Sequence, residues 1–224
     1  MVPESIVGKR SYRSDLRARQ AEQTRTRVIA AAAELFAADG YARTTLAKIA
    51  AAAGVSTETV QGQGSKAALM VAAIEYVSFG VAGEQSVLNL EAGRRLEAAE
   101  TVHEVLDIGV AEQTAVHERS AYLTQALIGA AAVDTELGQY FTDLIASVTG
   151  QARRILEIYR DRGWLRTDVP FDELVETAAV LMSFDTYLRV TRHDGWSVDR
   201  YQAWLRRMLA ETVYVVPQTD PRRH

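Results

Sequence analysis

The segment 59-TVQGQGSKAAL-69 places two glycines, two glutamines and a lysine between helix-like stretches, a composition that could bind a phosphate group. A nucleotide-binding phosphate loop has the order Gly-x-x-x-x-Gly-Lys-Ser/Thr and follows a β-strand. Here the order is Ser65-Lys66, the glycine spacing differs, and no β-branched run precedes the glycines. The segment is therefore not predicted to bind a nucleotide, and its role must come from the elements around it.

The other reactive side chains give little sign of catalysis or of a metal site. The sequence has no cysteine, which excludes disulfides and thiolate chemistry. His103 and Asp107 share a helix face beside Glu104, but no third metal ligand is recognisable. No acid–base pair or nucleophile motif stands out, so we expect no cofactor, no metal and no enzymatic activity. The remaining histidines follow no metal-binding motif: His117, His193 and His224.

Charge is distributed unevenly along the 224 residues. Residues 1–66 carry ten Lys or Arg and six Asp or Glu, although the whole chain has a net charge of −4. Such asymmetry indicates a polyanion-binding end joined to an acidic body, or alternatively a solvated basic tail. Because no apolar run reaches the length of a membrane span and no signal peptide is apparent, we expect a cytoplasmic protein without membrane contact.

Two short helices follow a longer one near the basic end. Val28, Ala32, Leu35 and Phe36 share one face of a helix that Asp39-Gly40 should end. Thr44 or Thr45 can cap the next helix, Gly54 can end it, and Ser56 or Thr57 can cap a third. This spacing predicts a helix-turn-helix, although a helix hairpin without DNA contact gives the same pattern.

The rest of the chain is also predicted to be helical, so the fold class is all-α. Helices are expected near 66–80, 100–116, 119–132, 134–162, 171–192 and 197–214, with 81–98 ambiguous. The predicted domains are a flexible basic arm (1–22), a three-helix DNA-binding module with the helix-turn-helix (23–68), a larger regulatory and dimerisation domain (69–216) and a disordered tail (217–224).

Residues 27–69 as a whole resemble the DNA-binding module of the tetracycline-repressor (TetR) family of bacterial transcriptional regulators. The resemblance rests on Leu35-Phe36, Gly40-Tyr41, Thr44-Thr45, Ala53-Gly54-Val55-Ser56 and Ser65-Lys66 at fixed spacing. It implies a homodimer whose second short helix enters the major groove of a palindromic operator. The side chains at these positions suit phosphates or base edges, and Thr45 can cap a helix as well. The DNA-binding candidates are Arg27, Thr44, Thr45, Lys48, Ser56, Thr57, Thr59, Gln61 and Lys66.

The resemblance also implies a pocket for a small apolar or aromatic effector and a dimer interface built from the last two helices. Candidate pocket residues are His117, Tyr122, Gln125, Phe141, Ile145, Met182, Asp185 and Tyr187. Asp185 could instead pair with Arg189 at a dimer edge. Candidate interface residues, for each of which burial in the monomer core is the alternative, are Leu174, Ala178, Leu181, Leu188, Trp204, Leu205, Met208 and Val215.

The chain departs from the family at Gln61-Gly62-Gln63-Gly64, where relatives carry a tyrosine and further aromatics. Losing a buried aromatic costs on the order of 3–5 kcal/mol if nothing fills the space. The leading hypothesis is a ligand-responsive regulator, with repression as its expected action, that an effector releases from DNA. The alternative is a dimeric small-molecule-binding protein whose reading head has degenerated.

Overall fold

The computed structural model describes residues 5–79 and 91–215, with side chains from residue 16 onward. The tail predicted at 217–224 and most of the ambiguous stretch at 81–98 lie outside this range. Within it the fold is all-α as predicted, with a single isolated antiparallel bridge between Leu165 and Tyr214. No helix in these two ranges is long and apolar enough to cross a membrane.

The helices follow one another along the chain with short connections. Their bounds are α1 Ser5–Arg43, α2 Leu46–Ala53, α3 Thr57–Gln61, α4 Lys66–Phe79, α5 Glu91–Ala98, α6 Val102–Ala131, α7 Thr135–Asp161, α8 Phe171–Leu181, α9 Phe184–Leu188, a π-helical turn Arg189–His193 and α10 Val198–Thr212.

Residues 5–22, which belong to the predicted flexible arm, form the beginning of α1, and the mobility of the arm stays a prediction. The arm lacks an apolar stripe, so its pattern indicates no helix there. Its four arginines nevertheless have high helix propensity. The predicted helix end is confirmed, since Gly40 leaves the helical conformation with φ 76° and ψ 171° before a last short turn to Arg43.

The chain divides into two compact units. Of the described residues, the first unit contains 5–79 and 122–137, and the second contains 91–121 and 138–215. The predicted boundary between residues 68 and 69 lies inside α4. In the first unit α1 packs against α2 and α4, and the fully buried side chains include Val28, Phe36, Ile49, Val60 and Met70. Burying each large apolar side chain contributes about 1.5–3 kcal/mol, which holds the two short helices in place.

The second unit has its own hydrophobic core, which contains Tyr159, Leu174, Tyr201 and Leu205. All three tryptophans of the chain, Trp164, Trp196 and Trp204, belong to this unit. Two expectations about its helices are wrong. Residues 100–116 and 119–132 form the single helix α6, since neither Gly nor Pro lies between them.

The helix expected over 171–192 is instead divided into α8, α9 and the π-helical turn. The division occurs at Met182-Ser183, where the Ser183 hydroxyl caps α9 by accepting a hydrogen bond from the Thr186 N–H at 3.1 Å. Serine competes with the helix for its own backbone in this way, and apolar periodicity alone does not reveal it.

Candidate nucleic-acid interface

The turn between α2 and α3 has the geometry of a helix-turn-helix. Gly54 ends α2 in the left-handed conformation, with φ 65°, and its N–H points back to the carbonyls of Ala50 and Ala51. A side chain at this φ is disfavoured sterically, which is why a glycine occupies the turn. Ala50 and Val60, the two predicted packing positions, are buried on either side of the turn. The chain therefore holds α3 at a fixed angle to α2.

Hydroxyl groups cap the starts of both short helices. Thr45 accepts a hydrogen bond from the Lys48 N–H at 3.2 Å, and Ser56 accepts one from the Thr59 N–H at 3.2 Å. The structure thus resolves both open alternatives in favour of Thr45 and Ser56. Each cap satisfies one of the N–H groups that a helix start leaves unpaired. At α2 the remaining N–H groups and the helix dipole favour a phosphate.

Most predicted DNA-binding side chains are accessible on this module. Arg27, Thr45, Lys48, Ser56 and Gln61 are exposed, whereas Thr57, Thr59 and Lys66 are half-buried.

Thr44 is the exception, since it is completely buried and its hydroxyl donates to the Gly40 carbonyl at 2.8 Å. The expectation that Thr44 contacts a DNA phosphate is therefore wrong. Its hydroxyl instead stabilises the break at the end of α1.

Lys48 lies at the exposed edge of the module in an ion pair. Its ammonium group donates to Asp39 Oδ2 at 2.9 Å and to the Arg43 carbonyl at 3.0 Å. The hydrogen bond and the positive charge of Lys48 hold the pKa of the Asp39 carboxyl below its usual value. Exposed ion pairs of this kind contribute little to stability, so the lysine can exchange Asp39 for a phosphate at low cost.

Lys66 has a different environment from the one the sequence suggested. Its ammonium group lies 4.1 Å from the centroid of the Tyr41 ring, and the Tyr41 hydroxyl donates to Asp134 Oδ2 at 2.8 Å. The hydrogen bond from Tyr41 lowers the pKa of the Asp134 carboxyl. Beside this group, Ser65 donates to the Glu136 carboxylate at 3.3 Å. The Ser65-Lys66 pair therefore anchors the start of α4 within its own unit.

Sequence analysis assigned no role to Tyr41, Asp134 or Glu136. Tyr41 was part of the matching motif, and its position beside Gly40 was the available signal. The two acidic residues lie roughly a hundred positions further along the chain, and no local pattern connects them to Tyr41. Tyr41 also stacks on Phe36, with ring centroids 5.8 Å apart, which fills part of the space behind α3 and α4 with an aromatic group.

The glutamine–glycine segment forms the end of α3 and the turn that follows it. Gln61 is the last residue of α3, and Gly62 continues in a helical conformation with φ −65° and ψ −15°. The Gln63 side chain accepts a hydrogen bond from Arg25 of α1 at 3.5 Å, a long contact. At the positions where the resemblance led us to expect aromatic residues, this chain has a polar link to α1 and follows a five-residue helix α3.

A second group of predicted residues meets in the second unit around His117. This histidine is 1% exposed, and its ring lies 4.5 Å from the Phe184 centroid and 5.1 Å from the Tyr187 centroid. Gln113 Nε2 lies 2.8 Å from His117 Nε2 and donates to the Met182 carbonyl at 3.3 Å. Burial lowers the pKa of His117 to about 4, so the ring is neutral near pH 7. His117 and Tyr187 are thus in contact, and Gln113 links His117 to the Met182 carbonyl; their role as a pocket for an effector stays a prediction.

The other predicted pocket residues do not join this group. Tyr122 and Gln125 are exposed and belong to the first unit, while Ile145 is exposed and Phe141 half-buried in the second. Asp185 is exposed in the first turn of α9, where the helix dipole favours a carboxylate. Asp185 therefore lies outside the buried group around His117, and its predicted pairing with Arg189 at a dimer edge stays a prediction. Among the described residues, no group of three or more His, Asp or Glu could hold a metal ion.

A model of bacterial regulatory proteins of the tetR family matches residues 28–73, which are the part of the chain that forms the helix-turn-helix. This match identifies residues 28–73 as a tetR-type DNA-binding domain built on a helix-turn-helix. A comparison with curated proteins gives no match.

Solved structures of tetR-type proteins share the fold over most of the chain. A SmeT–triclosan complex is 19% identical and covers 86% of this chain and 92% of its own, with a TM-score of 0.67. NalD, the secondary repressor of the MexAB-OprM multidrug efflux pump in Pseudomonas aeruginosa, is 17% identical over 88% and 98%, with a TM-score of 0.65. A Saccharomonospora viridis regulator in complex with choline is 17% identical over 86% and 98%, with a TM-score of 0.67.

In the second unit, the predicted dimer-interface residues fall into two classes. Four of them have little surface left for a partner subunit because they lie in the core of the second unit: Leu174, Ala178, Leu188 and Leu205. For these four, the alternative of monomer core is correct. The others keep accessible surface on α8, α10 and the end of the described chain: Leu181, Trp204, Met208 and Val215.

Proposed function

We propose that the chain is a ligand-responsive repressor that binds a palindromic operator as a homodimer and is released by a small apolar or aromatic effector. The observation that carries the proposal is the exposed reading surface of a rigid helix-turn-helix. Ser56 and Gln61 are accessible at the start and end of α3, and Arg27, Thr45 and Lys48 are exposed on α1 and at the start of α2 in the same unit. This is the arrangement that sequence readout in a major groove requires.

The side chains divide into two roles in this proposal. Arg27, Thr45 and Lys48 contact phosphates, which fixes the position of the module without reading sequence. Ser56, Thr57 and Gln61 reach base edges, and the Gln61 amide is suited to adenine because it can donate and accept together. Thr59, which lies 3.1 Å from the Ser56 hydroxyl, holds that side chain in place. Lys66 contributes through the start of α4 rather than through a phosphate.

Effector response is proposed from the group around His117 and from the structural neighbours. Two neighbours are complexes with small molecules, triclosan and choline, and a third is named a repressor of an efflux pump. In the present chain, a buried, neutral histidine lies among two aromatic rings and an amide. An effector that binds one arrangement of the dimer more tightly than another shifts the population between them.

The homodimer is proposed to form through the accessible parts of α8 and α10. Val180 is 54% exposed on α8, and Leu181, Trp204 and Met208 are half-buried beside core residues of the same helices. Exposed apolar side chains on neighbouring helices are the usual composition of an obligate interface. A palindromic operator follows from such a two-fold dimer, because each half-site then meets an identical reading head.

The alternative, a ligand-binding protein with a weakened reading head, has one specific observation in its favour. The recognition helix α3 has five residues, and glycines at 62 and 64 follow it directly. A short helix with a glycine end is held less firmly than a longer one with aromatic anchors. The Arg25–Gln63 contact and the buried Val60 argue for retained order at this end.

Selection of bound sites from random double-stranded DNA by the purified full chain tests the proposal. We expect an enriched palindrome, bound with strong salt dependence, and a loss of base preference at one position in the Gln61→Ala variant. Arg154→Gln, an exposed arginine of α7 in the second unit, is the matched control and should leave selection unchanged. Failure to enrich any palindrome would favour the ligand-binding alternative.

A further inference from the structure

Two buried polar atoms in the second unit have no hydrogen-bond partner among the described residues, and both flank the same aromatic ring. They are His117 Nδ1 and the Tyr201 hydroxyl. The Tyr187 ring lies 5.1 Å from the His117 ring and 5.2 Å from the Tyr201 ring, measured between centroids. His117 and Tyr201 are 1% and 0% exposed. Buried polar groups without partners are rare, and each one calls for an explanation.

The neighbours of His117 determine which ring nitrogen carries the proton. Gln113 Nε2 donates to the Met182 carbonyl, which can only accept, so the amide NH2 group and not the amide oxygen points into this cluster. The second hydrogen of that NH2 group points at His117 Nε2, which lies 2.8 Å away and must therefore accept. In a neutral imidazole the proton then resides on Nδ1. The unpartnered atom is thus an N–H donor.

The Tyr201 hydroxyl supplies a second donor close to Tyr187. Its ring packs against Tyr187 and Trp204, while its oxygen is fully enclosed without a partner. Burial also raises the pKa of Tyr201 above its usual value, so the hydroxyl stays protonated. Two donors without acceptors define a chemical preference, because each gains a hydrogen bond only from a molecule that brings an acceptor atom.

The helix around this cluster is irregular at the same place. The break at Met182-Ser183 releases the Met182 carbonyl toward Gln113, and the π-helical turn Arg189–His193 follows α9 directly. Interruptions of this kind occur frequently at functional sites. Met182 and Phe184 are half-buried, and a methionine side chain can adjust its shape to a bound molecule. The cluster therefore combines two buried hydrogen-bond donors with two apolar side chains, Met182 and Phe184, the first of which can adjust to a bound molecule.

The burial and neutrality of the two donors favour a neutral acceptor over an anion. His117 and Tyr201 are 1% and 0% exposed, and neither side chain carries a charge near pH 7 that could balance a buried anion. Burying an unpaired charge costs far more than burying a hydrogen-bonded carbonyl group.

From these observations we infer that the effector is a neutral carbonyl compound with an apolar body, whose oxygen accepts a hydrogen bond from His117 Nδ1–H. The Tyr201 hydroxyl is the second unpartnered donor beside the same Tyr187 ring and strengthens the preference for a molecule that carries acceptors. The apolar body of the effector packs against Phe184, Tyr187 and Met182. This inference rests on the proposed effector site and names the class of molecule that the site takes.

Isothermal titration calorimetry on the full-length chain with three isosteric probes tests the inference. The probes are 2-acetylnaphthalene, the hydrocarbon 2-isopropylnaphthalene and the anion 2-naphthoate, extended to a panel of one- to four-ring ketones with matched hydrocarbons and acids. We expect the best ketone to bind about tenfold more tightly than its hydrocarbon. The His117→Leu variant should abolish that preference, and Tyr201→Phe should reduce it about threefold. Tyr76→Phe, in α4 of the first unit, is the control and should leave it unchanged.

Three results would overturn the inference: equal or tighter binding of the hydrocarbon or the acid, a ketone preference that survives in His117→Leu, or no binding by any ketone of the panel. Nuclear magnetic resonance of ¹⁵N-histidine in the wild-type chain keeps the test decisive if His117→Leu does not fold. A protonated Nδ1 whose signal shifts on ketone addition supports the inference, whereas a protonated Nε2 contradicts it.

The selected operator separates this inference from the proposed function. If a ketone binds through His117 but does not release the operator in a gel-shift assay, the effector role fails and the binding site stands. If hydrocarbon and ketone release the operator equally well, the regulatory role stands and the carbonyl preference fails.

Discussion

At the scale of single residues, polar side chains form hydrogen bonds at the ends of helices and beside buried aromatic rings. The threonine pair at positions 44 and 45 illustrates the difference that one position makes. Thr44 is buried and donates to the carbonyl of Gly40, whereas Thr45 is exposed and caps α2. The sequence predicts that one of the two threonines caps α2. It does not show which one, because the two side chains are chemically identical.

Thr45→Ala should destabilise the chain by about 1 kcal/mol, since the Lys48 N–H loses its cap acceptor. Thr45→Ser keeps a hydroxyl at the same place and should restore most of the stability. Chemical denaturation followed by circular dichroism measures the free energy of unfolding of the three proteins. Equal stability of the alanine and serine variants would show that the hydroxyl does not act as a cap.

His117 should make stability depend on pH. Its pKa is about 4 in the folded chain against 6.5 when unperturbed, so between these values the unfolded chain binds a proton that the folded chain does not. Stability is therefore fully present above pH 6.5 and falls as the pH drops toward 4, by up to about 3 kcal/mol. Denaturation of the wild type and His117→Leu at pH 7, 5.5 and 4 measures the difference. Parallel pH profiles of the two proteins would contradict this assignment.

At the scale of helices, glycines and hydroxyl caps decide where each element ends. The ends of α1 at Gly40 and of α2 at Gly54 could be predicted because glycine there has a local cause. The division of the 171–192 segment could not, because Ser183 interrupts a pattern that is apolar on both sides. The helix at the basic arm could not be predicted either. Its residues have helix propensity, but without an apolar stripe no pattern indicates that a helix there would pack against the rest of the protein.

The end of the recognition helix offers a matched pair of glycine substitutions. Gly62 has helical angles, and a Cβ there would meet the Glu58 carbonyl oxygen at 3.4 Å, an ordinary contact. Gly62→Ala should therefore stabilise the chain by about 0.5–1 kcal/mol and tighten operator binding, because it favours the helical form of α3. Gly64 has φ 137°, and a Cβ there would lie 3.1 Å from the Ala68 Cβ.

Gly64→Ala should consequently destabilise the chain, by about 1 kcal/mol or more. Thermal unfolding and gel-shift titration of both variants test the pair. A recognition helix that gains nothing from Gly62→Ala would indicate that its order is already set by Val60 and by the Arg25–Gln63 contact.

At the scale of the whole molecule, local sequence patterns predicted the fold class and the DNA-binding module. They did not predict the contacts between residues far apart in the chain. Helix caps and apolar periods are properties of a few neighbouring residues, so the sequence displays them. The Tyr41–Asp134 hydrogen bond joins residues far apart in the chain, and the assembly of His117 with Phe184 and Tyr187 depends on the packing of α6 against α9. Helix packing in the second unit also determines which apolar residues of α8 and α10 lie in its core.

Salt dependence gives a whole-molecule test of the uneven charge. Each phosphate contact that is removed lowers the slope of log affinity against log salt concentration by about 0.9. Arg27→Gln should therefore weaken binding to all DNA sequences alike and reduce the slope by about 2 for a dimer with one such contact per subunit. Arg154→Gln, with the same charge change in the second unit, should leave the slope unaltered. A slope that both variants reduce equally would point to net charge rather than to a contact.

The placement of the three tryptophans has a practical consequence for spectroscopy. Trp164, Trp196 and Trp204 all lie in the second unit, so tryptophan emission reports on that unit alone, while the helix-turn-helix module contributes tyrosines such as Tyr41. Selective excitation of indole therefore follows the effector-side unit without labelling, and far-ultraviolet circular dichroism follows all the helices together. A divergence between these two signals during unfolding would show that the halves of the chain melt separately, with the natural sequence serving as its own reporter.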